Sequence, residues 1–211
     1  MTLDLTADLT AARLLAVIRG TDTAAAVAAG TALLAEGVRV VEVALTTPGA
    51  CDAIAAIRAV APPGSLVGAG TVLTPAAVAD VAAAGAQFVV TPAVVDSIGA
   101  AVSRGLPVAA GAFTPTEAYA AVRAGAAAVK LFPASAGGPA YLKALRDPFP
   151  DIPFVAVGGV GLADLPGYLG AGAIAVGVGG PLVGDAASGG DLDALRARAR
   201  DYLAALRAVA P

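Results

Sequence analysis

Residues 107–133 read PVAAGAFTPTEAYAAVRAGAAAVKLFP, and they hold one complete unit of the chain's architecture. A short apolar run, Pro107–Ala112, comes first. Thr114 then stands directly before Pro115, a helix-capping hydroxyl ahead of a proline suited to the first helical turn. An alanine-rich stretch follows and stops at Gly125, where a helix can end in a left-handed turn. A second apolar run, Ala128–Pro133, closes the unit. Strand, capped helix, glycine stop and strand together make a βαβ unit, the building block of a parallel sheet.

The same rhythm extends in both directions. The spacing predicts strands at Leu14–Arg19, Val38–Leu45, Leu66–Val72 and Phe88–Pro92, and beyond the quoted unit at Phe154–Val160 and Ala173–Val178. A helix fits after each, with Thr21 and Thr74 as further caps and Gly37, Gly85 and Gly105 as further stops. With the two strands of the quoted unit this makes eight βα units in 211 residues. About 200 residues is the lower size of a (β/α)8 barrel. An additional helix at residues 4–13 is expected to cap the barrel's N-terminal end. A doubly wound open sheet is the rival, but it would use roughly five to seven strands, and no GxGxxG follows the first strand. No linker or charge run divides the chain, so residues 1–211 read as one domain.

Composition narrows the chemistry. The hydrophobic fraction is 58% with only 4% aromatics, so the core must be built from small aliphatic side chains. The uncharged stretch of most concern for a membrane span, Gly167–Gly184, carries seven glycines and Pro181, poor material for a spanning helix of about 20 residues. The N-terminus has acidic residues and no basic leader, which makes a cytoplasmic protein the expectation. Net charge is −3 with scattered basic residues, which gives nucleic acid no patch to hold. Cys51 is the single cysteine and there is no histidine. Ser-His-Asp catalysis and histidine-ligated metal are thereby excluded, and proton transfer falls to carboxylates, lysine, tyrosine, cysteine or water.

In a barrel of this type, reacting groups sit at the C-terminal ends of the strands. Lys130 interrupts the apolar run AAAVKLFPAS. Lysine on a strand commonly snorkels to solvent, but this strand is expected to be covered on both faces. An amine inside a barrel loses hydration, which favours the neutral, nucleophilic form needed to build an imine with a ketone. Glu42 in VRVVEVALTTP is enclosed in the same way. It reads either as half of a structural ion pair with Lys130 or as an acid–base group beside an imine. Arg19 ends the first strand, placed to fork onto a carboxylate or phosphate or to form a barrel-mouth ion pair. In GAGTVLTP, Gly68 and Gly70 permit close backbone approach, and Thr71 offers a hydroxyl and an N–H to a small carboxylate. The last two strands end in AVGGVG and VGVGGPL. Their glycines, with exposed N–H groups and a helix start beyond, suit a phosphate, although tight turns alone would also use them.

GAGTVLTP, VVTPAVV, EAYAAVRAGAAAVKLFPAS and FVAVGGV together resemble the 2-keto-3-deoxy-6-phosphogluconate and 2-keto-3-deoxy-6-phosphogalactonate aldolases, in order and spacing, from about Leu14 to Val183. The resemblance implies a class I aldolase on a (β/α)8 barrel, a homotrimer, and no metal or organic cofactor. It implies Lys130 as the Schiff-base residue and Glu42 as the acid–base catalyst. Arg19, Thr71 and Pro92 are implied to line the substrate pocket, Phe132 to pack beside the imine, and Gly158, Gly159, Gly179 and Gly180 to bind phosphate. Leu45-Thr46-Thr47-Pro48 is closer to the LNSP segment of the phosphogalactonate branch than to the LRT of the phosphogluconate branch. Gly180-Pro181-Leu182 lacks the serine of the GGSWL segment common in phosphogluconate enzymes. The substrate expected is a phosphorylated keto acid. Cleavage of 4-hydroxy-2-oxoglutarate and phosphosugar isomerisation with Glu42 as base are the alternatives, as is a silent barrel that only binds a phosphorylated metabolite.

Overall fold

The computed structural model describes residues 3–209. Eight parallel strands close into a barrel in chain order: β1 (Leu14–Ile18), β2 (Val40–Ala44), β3 (Leu66–Gly70), β4 (Val89–Val90), β5 (Val108–Ala112), β6 (Ala128–Leu131), β7 (Phe154–Val157) and β8 (Ala175–Val178). The helices are α1 (Leu5–Ala12), α2 (Thr23–Ala35), α3 (Ala50–Val60), α4 (Pro75–Ala83), α5 (Ser97–Val102), α6 (Pro115–Arg123), α7 (Gly138–Arg146), α8 (Leu165–Gly170), the four-residue α9 (Gly180–Val183) and α10 (Leu192–Ala208). The expected barrel is present, and every expected strand has its counterpart.

Local chemistry explains most of the boundaries. Thr114 and Glu117 form a reciprocal capping box on α6, and the Thr74 hydroxyl accepts the Ala77 N–H at the start of α4. Gly37, Gly85, Gly105 and Gly125 all take positive φ as they end helices. At α2 the expected cap moves by one residue. The Asp22 carboxylate accepts the Ala25 N–H, while Thr21 turns its own N–H to Ser188 Oγ. β4 is shorter than the expected Phe88–Pro92. Past Val90 the Thr91 hydroxyl donates to the Ala93 carbonyl and accepts the Gly111 N–H, so a side chain replaces the ladder, and Pro92 has no N–H to offer. β6 likewise ends at Leu131, short of Pro133, and β7 at Val157, short of Val160.

The barrel separates two apolar regions. The larger lies between strands and helices and is rich in Ala and Val. The smaller fills the barrel's lower interior: Leu15, Val40, Leu66, Phe88, Val90, Ala109, Ala128, Val155, Val157 and Ala175. Leu5 and Leu9 of α1 join this inner group from below, so the N-terminal helix seals the base as expected. The inner wall interlocks bulky and absent side chains. A Cβ on Gly68 would lie 2.5 Å from the Phe88 ring, and one on Gly177 would lie 2.7 Å from Val157.

Candidate active site

Side chains two apart on a strand share a face. Above the sealed lower interior, β2 and β6 therefore send Glu42 and Lys130 inward. The register pairs Glu42 with Val17 and Gly68, and Lys130 with Gly111 and Val155. Both are buried, at 1% and 6% exposure, among five buried polar or charged side chains in the described residues. The Lys130 ammonium lies 4.9 Å from the centre of the Phe132 ring. Phe132, two residues further along, is the half-open wall of the site at 38% exposure.

Glu42 carries a strong electrostatic signature. Burial pushes its carboxyl above the usual carboxylate range, and the positive charges of Lys130 and then Arg19 pull it back only in part. Its Oε2 is fully buried with no hydrogen-bond partner. Glu42 and Lys130 form no ion pair; among the described residues, Arg196 and Arg200 pair with Glu36 on the outer surface. A buried carboxylate with a free oxygen is costly to a fold and is expected where a proton must move. Gly70 makes room for it, since a Cβ there would sit 2.6 Å from Glu42 Oε1.

Arg19 lies one residue past β1 and donates to the Thr71 hydroxyl at 3.4 Å. Thr71 has φ of 60°, an uncommon conformation for a β-branched residue. A cavity of about 280 Å3 opens above these groups. Lys130, Arg19, Phe132, Gly158, Gly159, Gly179 and Gly180 all line it, so seven of the ten expected site residues meet in one space. Glu42 lies below the cavity. Thr71 reaches it through Arg19, and Pro92 lines a smaller neighbouring cleft that shares Phe132. Val17, Val157, Gly177, Val160, Pro181, Val183 and Gly184 also line the cavity and were not expected. The first three were legible, because Val17, Val157 and Gly177 stand two residues before Arg19, Gly159 and Gly179 on their strands. Among the described residues, no group of three Cys, Asp or Glu side chains could hold a metal ion, and no helix is long and apolar enough to cross a membrane.

The family model described as KDPG and KHG aldolase matches residues 5–197. The chain belongs to the KDPG and KHG aldolase family. It is 39% identical over 198 residues to the probable 2-dehydro-3-deoxy-6-phosphogalactonate aldolase of Rhizobium meliloti, covering 93% of this chain and 92% of that one. It is also 39% identical over 173 residues to the KHG/KDPG aldolase of Escherichia coli, covering 81% of each chain. A solved structure described as "Native KDPGal structure" superposes with a TM-score of 0.87 at 37% identity, covering 93% of this chain and 95% of that one. Identity to these two curated aldolases, one named for the phosphogalactonate substrate and one KHG/KDPG, is equal.

Proposed function

We propose that this aldolase cleaves a 2-keto-3-deoxy-6-phospho sugar acid to pyruvate and glyceraldehyde 3-phosphate through an imine on Lys130. The observation that carries the reading is a buried lysine opening onto a glycine-rimmed cavity beside a buried, unsatisfied carboxylate. The Lys130 amine adds to the C2 ketone, and loss of water leaves a protonated imine. Glu42, acting through a water, takes the proton of the C4 hydroxyl. The C3–C4 bond breaks, its electron pair flows into an enamine, and the C4 fragment departs as an aldehyde. Protonation at C3 and addition of water then release pyruvate and restore the amine.

The two ends of the substrate suit two parts of the mouth. The C1 carboxylate is assigned to Arg19 with Thr71, and the phosphate to the backbone at Gly158, Gly159, Gly179 and Gly180. Thr46 in the LTTP segment favours the galactonate epimer at C4. A homotrimer, carried by the family resemblance, completes the reading. Borohydride reduction with pyruvate tests the core of it: a stable mass adduct on Lys130 is expected, and Lys130→Ala must lose both adduct and turnover. Absence of the adduct would instead favour an isomerase or epimerase using Glu42 as its base.

A further inference from the structure

Thr47 is buried to 2% exposure in the loop after β2, yet it has no place in the chemistry above. Its hydroxyl accepts the Gly20 N–H at 3.2 Å, across from one strand's loop to the next. Gly20 directly follows Arg19. The same short segment is held from its other side by the loop after β8. Thr21 donates its N–H to Ser188 Oγ at 3.1 Å, and a Cβ on Gly20 would lie 1.8 Å from the Ala187 carbonyl oxygen. A third tie runs from the Thr23 hydroxyl to the Pro48 carbonyl at 2.9 Å. The backbone under Arg19 is thus clamped between two loops, with a buried hydroxyl as the contact nearest to it.

Arg19 itself is exposed, and its single side-chain bond among the described residues, to Thr71, is long at 3.4 Å. A long, flexible side chain loses rotamer freedom on binding an anion. The less its backbone moves, the less further order binding must impose. We infer that Thr47 is a positioning residue: its hydroxyl fixes the Gly20 amide and thereby aims Arg19 at the substrate carboxylate. This rests on the assignment of Arg19 above. The hydroxyl acts as an acceptor, so serine preserves the function and valine, of nearly the same shape, removes it.

The test compares wild type, Thr47→Val, Thr47→Ser, Arg19→Gln and the Thr47→Val/Arg19→Gln double variant in steady-state cleavage of the phosphogalactonate substrate. Thr47→Val is expected to raise KM about tenfold with kcat within about twofold, the size of effect that small misplacements at a site produce. Thr47→Ser is expected to match wild type. In the Arg19→Gln background, Thr47→Val is expected to cost nothing further, since the residue it aims is gone. An unchanged KM in Thr47→Val, a serine variant as impaired as the valine one, or full additivity in the double variant overturns the proposal. If Arg19→Gln leaves KM unchanged, the Arg19 assignment fails first and takes this inference with it. Should Thr47→Val not fold, amide exchange at Gly20 in the wild-type protein decides: strong protection is required, and fast exchange refutes the clamp.

Discussion

Replacing Gly70 by alanine adds one methyl group to the inner wall of the barrel, directly against the Glu42 carboxylate. The new Cβ would lie 2.6 Å from Oε1 and 2.9 Å from Cδ. An ordinary contact begins near 3.4 Å, so the carboxylate must retreat by about 0.8 Å. The backbone at Gly70 needs no left-handed conformation, so the change is purely steric. Glu42 is 1% exposed, and Val17 and Gly68 are its register partners on either side, so it cannot swing into solvent. Overpacking of this kind costs about 1–3 kcal/mol of stability. A shift near 1 Å in a reacting group costs about 100-fold in rate. The assay is kcat for cleavage beside a thermal melt and borohydride trapping with pyruvate. The expected result is a folded enzyme with a modestly lowered Tm, a retained though slower Lys130 adduct, and kcat down about 100-fold. Turnover within twofold of wild type would refute the assignment of Glu42 as the proton carrier.

Two further outcomes follow from the same geometry. Because burial raises the Glu42 pKa above its unfolded value, its contribution to stability is fully present below the ordinary carboxylate range and is lost as pH rises through the raised folded value. Glu42→Gln is therefore expected to melt above wild type at pH 8, with the gap closing toward pH 4, while activity falls by about 100-fold or more; parallel melting curves across that range would contradict the origin assigned to the shift. Gly159 has φ of 72°, and a Cβ there would lie 2.3 Å from Ser135 Oγ, so Gly159→Ala distorts the rim assigned to phosphate. Its kcat/KM is expected to fall at least about tenfold for the phosphorylated substrate and much less for 4-hydroxy-2-oxoglutarate; equal losses on both would move the phosphate elsewhere.

Much of this was readable in the chain because barrel units repeat. Each unit carries its own punctuation, as Thr114, Pro115 and Gly125 do around α6. A lysine or glutamate inside an apolar strand stands out because nothing in packing asks for it, and both proved to face inward. Boundaries were less readable where a side chain takes over a backbone role. Thr91 ends β4 by hydrogen-bonding across to β5, a bond set by a neighbour 20 residues away. Thr47 escaped for the same reason: its partner Gly20 lies 27 residues earlier, and only barrel closure brings them together. Asp22 caps α2 instead of Thr21 because the helix begins at Thr23, which puts the Asp22 carboxylate directly before it and within reach of the Ala25 N–H.

The closed floor of the barrel has a consequence for traffic. Leu5 and Leu9 stop the lower end, and Phe88 fills the centre above them. The Lys130 amine therefore opens upward, to the mouth lined by Phe132 and the glycine loops. On the proposed reaction, substrate and both products would share that mouth. On the mechanism proposed above, an aldehyde slow to leave would hold bulk water away from the enamine behind it and favour the reverse, bond-forming direction.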